Sequence, residues 1–371
     1  MRAPYKPPTM ADVYTGEARA LFTVISTFAG AGGSSTGYRL AGAKILAVNE
    51  FIPAAINTYL ANYPWTPLLP GDIRELSGDD FLKAARIERG ELDVLDGSPP
   101  CASFSMSGKR EKHWGEVKKY SDTEQRTDDL FFEFARILRE LQPMAFIGEN
   151  VQGLTVGKAA AILGDGQDDL FGESKGTILG VLEDCGYKVE ARVLKACDYG
   201  VPQTRPRLIM LGARDDLGIR PTFPKATTEF DPVTLREALD GLEPTWEDVQ
   251  PAVIGEQYAV AKLLKRMKPG QAGSDVHERG SYFNLKRLAW DEPVGTVCQS
   301  HGENPSIACS HVHPEELRKL TIPELKRVSS FPDDFVVTGD FGQQWERIGR
   351  AVPPLLMKAI AGHLYETVLK A

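Results

Sequence analysis

The sequence has few cysteines, and their arrangement does not suggest disulfide bonds. Five cysteines occur in 371 residues, an odd number, and they are not spaced in pairs. This pattern argues against a secreted protein stabilised by disulfides and favours the reducing interior of a cell. We therefore expect the cysteines to be free thiols.

Long hydrophobic runs and an N-terminal signal segment are also lacking. No apolar run approaches the roughly 20 residues that cross a bilayer, and residues 1–9 are polar and contain prolines. We therefore expect a cytoplasmic protein that has no membrane partner. The length of 371 residues suits two domains, or one large domain with an insertion.

An excess of positive charge is missing as well. The net charge is −8 and the isoelectric point is near 5.4. This balance argues against a protein that coats nucleic acid non-specifically, but it permits one that binds DNA through a local basic surface.

The most informative segment is DGSPPC at residues 96–101, which follows the apolar run Leu92–Leu95. The apolar run predicts a short buried strand, and the proline pair ends it on a rigid turn. Cys101 should thus lie at the carboxyl end of a strand, where open α/β sheets bind ligands. It is a candidate nucleophile if a neighbour stabilises its thiolate, and otherwise an inert buried thiol.

The first half of the chain has the pattern of a nucleotide-binding sheet. Leu21–Phe28 predicts a buried strand, which a glycine turn at 29–33 connects to a helix. The dinucleotide fingerprint would require a third glycine at position 35, where the chain has Ser35. A nicotinamide-type site is therefore disfavoured.

Acidic residues follow the next two predicted strands. Glu50 and Phe51 come after the strand 44–48, and Asp72 comes after a strand near 68–69. An acid at the end of the second strand often holds a ribose diol, and an aromatic ring can stack on adenine. Either these are solvated loop acids, or together they hold an adenosine-containing cofactor without phosphates.

The remaining pattern continues the alternation of strands and helices. The polar segment 102–125 is either a functional lid or a solvated loop. Helices are predicted at 130–141 and 177–185, and strands at 144–147, 187–194 and 208–211. Such alternation predicts an α/β fold with a doubly wound, mostly parallel sheet.

Six motifs, in this order, resemble those of the DNA cytosine-5 methyltransferases: FAGAGG (28–33), NEF (49–51), GDI (71–73), GSPPC (97–101), GENV (148–151) and QTRPR (203–207). Two further segments, 318–335 and 348–364, extend the resemblance to about residues 21–364. The resemblance implies a class I, Rossmann-like catalytic domain at 1–213 plus 336–371. It also implies an inserted, smaller, irregular and mainly β target-recognition domain with a hinge at 214–335.

The resemblance further implies an S-adenosylmethionine-dependent transferase that acts on double-stranded DNA. Cys101 would attack C6 of a flipped-out cytosine, Glu149 would hydrogen-bond N3, and Arg205 and Arg207 would hold O2 and a phosphate. The resemblance also implies a bacterial or phage-type protein that is associated with the nucleoid. We expect a monomer, and whether a cognate restriction enzyme accompanies it stays open. The residues that match the cofactor pocket are Phe28, Ala29, Gly30, Ala31, Gly32, Gly33, Glu50, Phe51, Asp72, Ile73, Ser98, Pro100, Leu130, Arg350, Ala351 and Val352.

Two features of the second half have alternative interpretations. Residues 262–287 contain seven basic and two acidic residues together with Tyr282 and Phe283, which suits either a DNA groove or a solvated charged face. The cysteines and histidines at 298–313 are not spaced as in a common structural zinc site, so we expect no metal.

Two positions depart from the family pattern. Ala102 stands where the family usually has Gln, and Arg350 stands where it usually has Asn, beside the methionine end of the cofactor. A guanidinium next to a sulfonium would cost roughly 3–4 kcal/mol. Arg350 therefore turns to a phosphate, pairs with a protein carboxylate, or binds the extra carboxylate of carboxy-S-adenosylmethionine, in which case carboxymethyl would be transferred.

Other classes remain as alternatives. An RNA cytosine-5 methyltransferase would carry the same motifs, and a DNA-binding regulator with an inactive domain would lack some of the catalytic residues present here. A cysteine hydrolase is disfavoured because no plausible base is placed near Cys101.

Overall fold

The computed structural model describes residues 2–99, 118–120, 123–125, 130–155, 177–280, 282, 285–299 and 311–371. The chain forms two compact units. The sheet unit comprises Val13–Leu194, Pro206–Lys225 and Met357–Ala371, and the inserted unit comprises Met1–Asp12, Lys195–Arg205 and Ala226–Leu356. The functional division into a catalytic and a target-recognition domain stays a prediction.

Within the described residues the strands are β1 Phe22–Thr27, β2 Ala43–Glu50, β3 Leu68–Pro70, β4 Val94–Gly97, β5 Lys118–Tyr120, β6 Thr123–Gln125, β7 Ala145–Val151, β8 Tyr187–Lys195 and β9 Pro206–Arg214. Seven of these described strands form the main sheet of the sheet unit, in the order β3-β2-β1-β4-β7-β9-β8. The other two, β5 and β6, form a separate antiparallel pair.

The strand pairing confirms the predicted α/β class with a mostly parallel sheet. Strands β1, β2, β3, β4 and β7 pair in parallel, and β9 runs antiparallel to β7. The chain moves outward from β1 to β3 and then returns to β4 on the other side of β1. The carboxyl ends of β1 and β4 thus flank the switch point, where such sheets bind ligands.

Helices cover the sheet and occur in the inserted unit. Their bounds are α1 Met10–Ala18, α2 Gly33–Ala41, α3 Pro53–Asn62, α4 Gly78–Ala85, α5 Leu130–Leu141, α6 Ile178–Glu183, α7 Leu235–Leu239, α8 Trp246–Val249, α9 Ala259–Leu264, α10 Ile322–Val328, α11 Phe341–Arg350 and α12 Pro354–Leu364. No helix within the described residues is long and apolar enough to span a bilayer.

Helix α5 shows how the sequence pattern produces the core. Its apolar residues recur at helical spacing, and Leu130, Phe134, Leu138 and Leu141 are fully buried or nearly so. Each such side chain contributes about 2 kcal/mol through burial. Phe134 packs so closely on β4 that a Cβ at Gly97 would lie 2.4 Å from its Cδ2.

Most of the last helix, α12, belongs to the sheet unit. The ring of Tyr365, in the turn Tyr365–Leu369 that follows α12, stacks on Phe22 of β1 with centroids 5.5 Å apart. The sequence did not predict the position of β9, which lies between β7 and β8 rather than at an edge of the sheet.

The inserted unit is irregular, as predicted, but its described residues are not mainly β. They contain short helices and isolated bridges such as Ala272↔Lys286 and Val312↔Lys319. Capping boxes start several of these helices, including Thr234 with Glu237 and Thr321 with Glu324. The caps supply hydrogen bonds to helix N-termini and favour short helices over strands.

Candidate active site

The turn after β1 has left-handed backbone at three of its residues. Phe28 has φ 55°, Gly30 has φ 55° and Gly32 has φ 94°. A Cβ at Gly32 would lie 3.1 Å from the Tyr59 ring, whereas a Cβ at Gly30 would meet nothing within 4 Å. Open space above Gly30 lets a ligand approach the backbone closely.

Glu50 ties this turn to the end of β2. Its carboxylate accepts hydrogen bonds from the backbone N–H groups of Gly30 at 2.6 Å, and of Phe51 and Ile52 at 2.8 Å each. The Glu50 side chain is buried. The Ala29 N–H also links the turn to β2, because it donates to the Asn49 carbonyl. Glu50 is therefore held rigidly where a ribose hydroxyl is expected.

The other residues of the turn form the start of α2. Ala31 is buried, and Gly33 is the first residue of the helix. An N-terminus with open backbone N–H groups suits an electron-rich ligand.

Asp72 has a partner that sequence reasoning missed. The Arg74 side chain forms an ion pair with its carboxylate at 2.7 Å, and the Arg74 backbone N–H donates to it at 3.1 Å. The neighbouring Ile73 is buried, and its carbonyl accepts from Arg136 of α5 at 2.9 Å. Helix α5, which begins with the buried Leu130, thus fixes this loop.

The segment that leads to Cys101 is held from both sides. Ser98 Oγ donates a hydrogen bond to the Phe28 carbonyl at 3.5 Å, and the Asn150 side-chain amide donates one to the Pro99 carbonyl at 3.3 Å. Pro100, Cys101 and Ala102 lie outside the described residues. Asn150 was not predicted as a site residue, although it stands in the GENV motif.

Glu149 and Arg207 form an ion pair at the carboxyl end of β7. Arg207 Nε lies 2.8 Å from Glu149 Oε1, and each side chain is 12% exposed. The antiparallel register of β7 and β9 sets Val151 opposite Arg207, so both charged side chains lie on the same face. The structure thus brings together two of the predicted catalytic residues.

Arg205 has a different environment within the inserted unit. It is buried, and its guanidinium donates to the carbonyls of Val297 and Gly349 at 2.9 Å each. These bonds join three segments of the inserted unit. A role of Arg205 at the base stays a prediction.

Arg350 pairs with a protein carboxylate. At the end of α11, Arg350 Nη2 lies 2.6 Å from Glu346 Oε1, and Arg347 Nη2 lies 2.9 Å from the other oxygen of the same carboxylate. Ala351 caps the helix and Val352 is buried. The pairing is one of the alternatives that the sequence left open, and it supplies a negative charge beside Arg350.

The basic segment 262–287 presents fewer charges at the surface than the sequence indicated. Arg287 is buried and donates to four backbone carbonyls, including those of Leu264 and His313. Lys265 pairs with Glu256 at 2.7 Å. Tyr282 is exposed, and Phe283 lies outside the described residues.

The histidines of the inserted unit have hydrogen-bonding roles. His313 Nδ1 accepts from the backbone N–H groups of Glu315 and Glu316, and His311 Nε2 lies 3.1 Å from the Gly295 carbonyl. Within the part of the chain that the structure describes, no cluster of His, Cys, Asp or Glu could hold a metal ion. His301 and Cys309 lie outside that part, and the expected lack of a metal stays a prediction.

The comparisons with known proteins show which family the chain resembles. The family described as C-5 cytosine-specific DNA methylase matches residues 22–366. Type II methyltransferase M.Eco47II of Escherichia coli is 33% identical over 94% of this chain and 81% of its own length. Type II methyltransferase M1.HphI of Haemophilus parahaemolyticus is 34% identical over 94% of this chain and 87% of its own length.

A solved structure shows the same fold. The Dnmt2 methyltransferase of S. pombe aligns with a TM-score of 0.61 and 16% identity, over 94% of this chain and 98% of that one. The family match covers most of the sequence, and it includes every motif on which the resemblance depended. The chain therefore belongs to the C-5 cytosine-specific DNA methylase family.

Proposed function

We propose that this protein transfers a methyl group from S-adenosylmethionine to C5 of a flipped-out cytosine in double-stranded DNA. The observation that carries the proposal is the Glu149–Arg207 pair at the carboxyl end of β7, in a chain that belongs to the C-5 cytosine-specific DNA methylase family. The target atom is inaccessible in a stacked duplex, so the base must leave the helix before it reacts.

The residues of the sheet unit fit the proposed cofactor. The open space above Gly30 and the rigidly held carboxylate of Glu50 suit the ribose of an adenosyl group. Acidic side chains at these strand ends would repel a pyrophosphate but accept hydrogen bonds from hydroxyl and amino groups. When bound, S-adenosylmethionine supplies an electrophilic methyl group on a sulfonium.

The first chemical step makes C5 nucleophilic. The Cys101 thiolate forms a bond to C6, and the C5–C6 π electrons shift to the C4–C5 bond. The C4–N3 π electrons bind the proton that Glu149 donates to N3. Arg207 holds O2 and stabilises the charge that develops on the ring. We infer that Arg207, rather than the buried Arg205, contacts the base, because the Arg207 guanidinium forms an ion pair with the Glu149 carboxylate.

The second step restores the aromatic ring. Transfer of the methyl group to C5 would break its bond to the cofactor sulfur and leave a neutral thioether. C5 then loses its proton to solvent water, and the electrons of that C–H bond re-form the C5–C6 double bond. The Sγ–C6 bond breaks and returns the thiolate, while the proton on N3 returns to Glu149. The residues of the protein thus end the cycle as they began it.

We propose methyl rather than carboxymethyl as the transferred group. The Glu346 carboxylate already pairs with Arg350, so Arg350 does not require an extra anion on the cofactor. The test is competition between S-adenosylmethionine and its carboxylated analogue, followed by mass measurement of the product nucleosides. Methylcytosine alone supports the proposal, and carboxymethylcytosine from an equimolar mixture contradicts it.

The substrate is tested by incubating the protein with duplex DNA, single-stranded DNA and RNA. We expect 5-methylcytosine in duplex DNA, at one sequence context that bisulfite sequencing will identify. A Cys101→Ser variant should be inactive, whereas Cys298→Ser, which removes an exposed thiol, should keep its activity. Methylation of RNA alone would overturn the proposed substrate.

A further inference from the structure

Two buried hydroxyl groups are linked to the glycine turn that follows β1. The Thr36 hydroxyl donates a hydrogen bond to the Gly32 carbonyl at 2.7 Å, and it lies 2.6 Å from the Tyr63 hydroxyl. Thr36 and Tyr63 are fully buried, and the mechanism proposed above uses neither of them. Tyr63 is therefore connected through Thr36 to the turn at which the cofactor is expected.

The Tyr63 ring also packs directly on this turn. A Cβ built on Gly32 would lie 3.3 Å from Tyr63 Cε2 and 3.1 Å from Tyr59 Cδ2. A Cβ built on Gly30 would meet nothing within 4 Å. The two rings thus cover Gly32 and leave Gly30 open, so they support the left-handed backbone of Gly32, with φ 94°, without filling the space for a ligand.

Tyr63 is itself held by a buried arginine of α2. The guanidinium carbon of Arg39 lies 3.8 Å from the centre of the Tyr63 ring, and Arg39 is fully buried. Arg39 Nη2 donates to Thr66 Oγ1 at 2.7 Å, and Arg39 Nε forms an ion pair with Glu17 at 3.0 Å. All of these residues belong to the sheet unit. The cation–π contact therefore fixes the ring from the side of a guanidinium that is itself anchored.

We propose that Tyr63 is a positioning residue for the cofactor, and that it acts through Thr36 to hold the glycine turn in the conformation that binds S-adenosylmethionine. The inference rests on the proposed function, in which the cofactor lies at this turn. Left-handed backbone is only one of the conformations that glycine adopts readily. A turn that is already held in the binding conformation loses no affinity to the others.

A purely local role for the Thr36 hydroxyl is the simpler alternative. Threonine in a helix commonly bonds to the carbonyl four residues earlier, as Thr36 does to Gly32. Such a bond would affect only the stability of the fold. A positioning role differs because it also changes the affinity of the folded protein for the cofactor.

The experiment is calorimetric measurement of the Kd for S-adenosylmethionine in wild type, Thr36→Val and Tyr63→Phe. We expect the Kd to rise about fivefold in Thr36→Val, within the range for loss of one neutral hydrogen bond. The rise should be smaller in Tyr63→Phe, which leaves Thr36 bonded to Gly32. Because Tyr63 acts through Thr36, the double variant should bind no more weakly than Thr36→Val alone.

Two further readouts separate the turn from the chemistry. The single-turnover rate at saturating DNA and cofactor should stay within about twofold of wild type, because bound cofactor holds the turn. In the cofactor-free protein, the Gly32 N–H donates to the Ala29 carbonyl and the Thr36 N–H donates to the Gly32 carbonyl. Hydrogen exchange of both amides should be faster in Thr36→Val and Tyr63→Phe than in wild type.

Two controls test whether the effect belongs to these hydroxyl groups. Thr36→Ser restores the hydroxyl and should return the Kd to within about twofold of wild type. Tyr187→Phe is the matched control, because the buried Tyr187 donates to the Pro143 carbonyl at 2.7 Å and lies on β8, at the edge of the sheet. It loses a buried hydrogen bond away from the turn, so its Kd should equal that of wild type.

The outcomes separate this inference from the proposed function. If wild type binds S-adenosylmethionine and both Thr36→Val and Tyr63→Phe bind it equally well, the inference is wrong while the function stands. A Kd that rises as much in Tyr187→Phe, or that Thr36→Ser does not restore, also overturns the inference. If Tyr63→Phe does not fold, the comparison of Thr36→Val with Thr36→Ser decides. If wild type binds no S-adenosylmethionine, the proposed function fails and this inference fails with it.

Discussion

Arg207 and Glu149 form the ion pair on which the proposed chemistry depends most directly. The pair is largely shielded from water, with each side chain 12% exposed, so its charges act on a bound base with little solvent screening. In the proposed mechanism, the carboxyl group of Glu149 donates a proton to the base and the guanidinium of Arg207 stabilises negative charge on it.

Replacement of Arg207 by methionine should lower the single-turnover rate by about 10²–10³-fold, the range for loss of one charge-stabilising donor. Cofactor affinity, measured by calorimetry, should change little. Arg214→Met is the matched control, since Arg214 ends the same strand and pairs with the exposed Asp216. A full rate in Arg207→Met would show that Arg207 does not act on the base.

Asp96 of β4 is buried, and its side chain accepts hydrogen bonds from Ser26 Oγ and the Tyr38 hydroxyl. Its ionisation should affect how the stability of the protein depends on pH. Its pKa is raised to about 7 in the folded state, above its ordinary value of 3.8, so the folded state binds the proton more tightly. Stability that this group contributes is present below its ordinary pKa and is lost as pH rises towards 7.

Urea unfolding between pH 5 and pH 7 should therefore show that wild type loses stability with rising pH relative to Asp96→Asn. The difference in slope should reach about 1.4 kcal/mol per pH unit at most, the value for one proton. Equal slopes would show that Asp96 is ionised throughout this range.

At the residue scale, the motifs predicted where the site residues lie in the fold, but not which residues they contact. Glu50 and Glu149 were placed at strand ends because strand, turn and acid follow one another in the sequence. The ion pairs of Arg74 with Asp72 and of Glu346 with Arg350 join residues that are close in the sequence. They were still not predictable, because each charged residue has several oppositely charged residues near it in the sequence. Asp96 was not singled out, because its burial depends on Ser26 and Tyr38, which are distant in the sequence.

At the scale of elements, β4 is tightly packed at its carboxyl end. A Cβ at Gly97 would lie 2.4 Å from Phe134 Cδ2 and 2.8 Å from Thr27 Oγ1. Gly148, its register partner on β7, has more room, because a Cβ there would meet the flexible end of Met210 at 3.1 Å.

Gly97→Ala should therefore destabilise the protein by roughly 1–3 kcal/mol, the usual cost of overpacking. Gly148→Ala is the matched control and should cost clearly less. Chemical unfolding of both variants measures the difference. Equal stabilities would show that Phe134 can move away from β4 at little cost.

The local pattern predicted most elements of the sheet unit, because each buried strand and amphipathic helix has its own periodicity. The position of β9 between β7 and β8 was not predictable in this way, since strand order depends on pairing between distant segments. The inserted unit was misjudged as mainly β because its frequent prolines and glycines mark turns without distinguishing short helices from strands.

For the whole molecule, the net charge of −8 requires that DNA binding come from local groups. Lys262 and Lys268 are exposed in the inserted unit, whereas Arg287 is buried among carbonyls and is expected to be structural. The two lysines are therefore the better test of the predicted DNA-binding surface.

The double variant Lys262→Ala/Lys268→Ala should bind duplex DNA about tenfold more weakly, with a shallower dependence on salt, because each lost phosphate contact releases one counterion fewer. Lys44→Ala/Lys83→Ala, with exposed lysines of the sheet unit, is the control and should bind as wild type does. Fluorescence anisotropy over a salt series measures both. Unchanged affinity and salt dependence in the first variant would place the DNA-binding surface elsewhere.

The most direct test of the central claim is trapping with a duplex that contains 5-fluorocytosine. Fluorine at C5 blocks the proton loss that releases the enzyme, so Cys101 should stay bonded to C6 after methyl transfer. We predict a denaturation-resistant adduct, formed only with S-adenosylmethionine present, whose digestion yields a peptide modified at Cys101. The adduct should form with Cys298→Ser and not with Cys101→Ser, and its absence when DNA and cofactor are both shown to be bound would contradict the account.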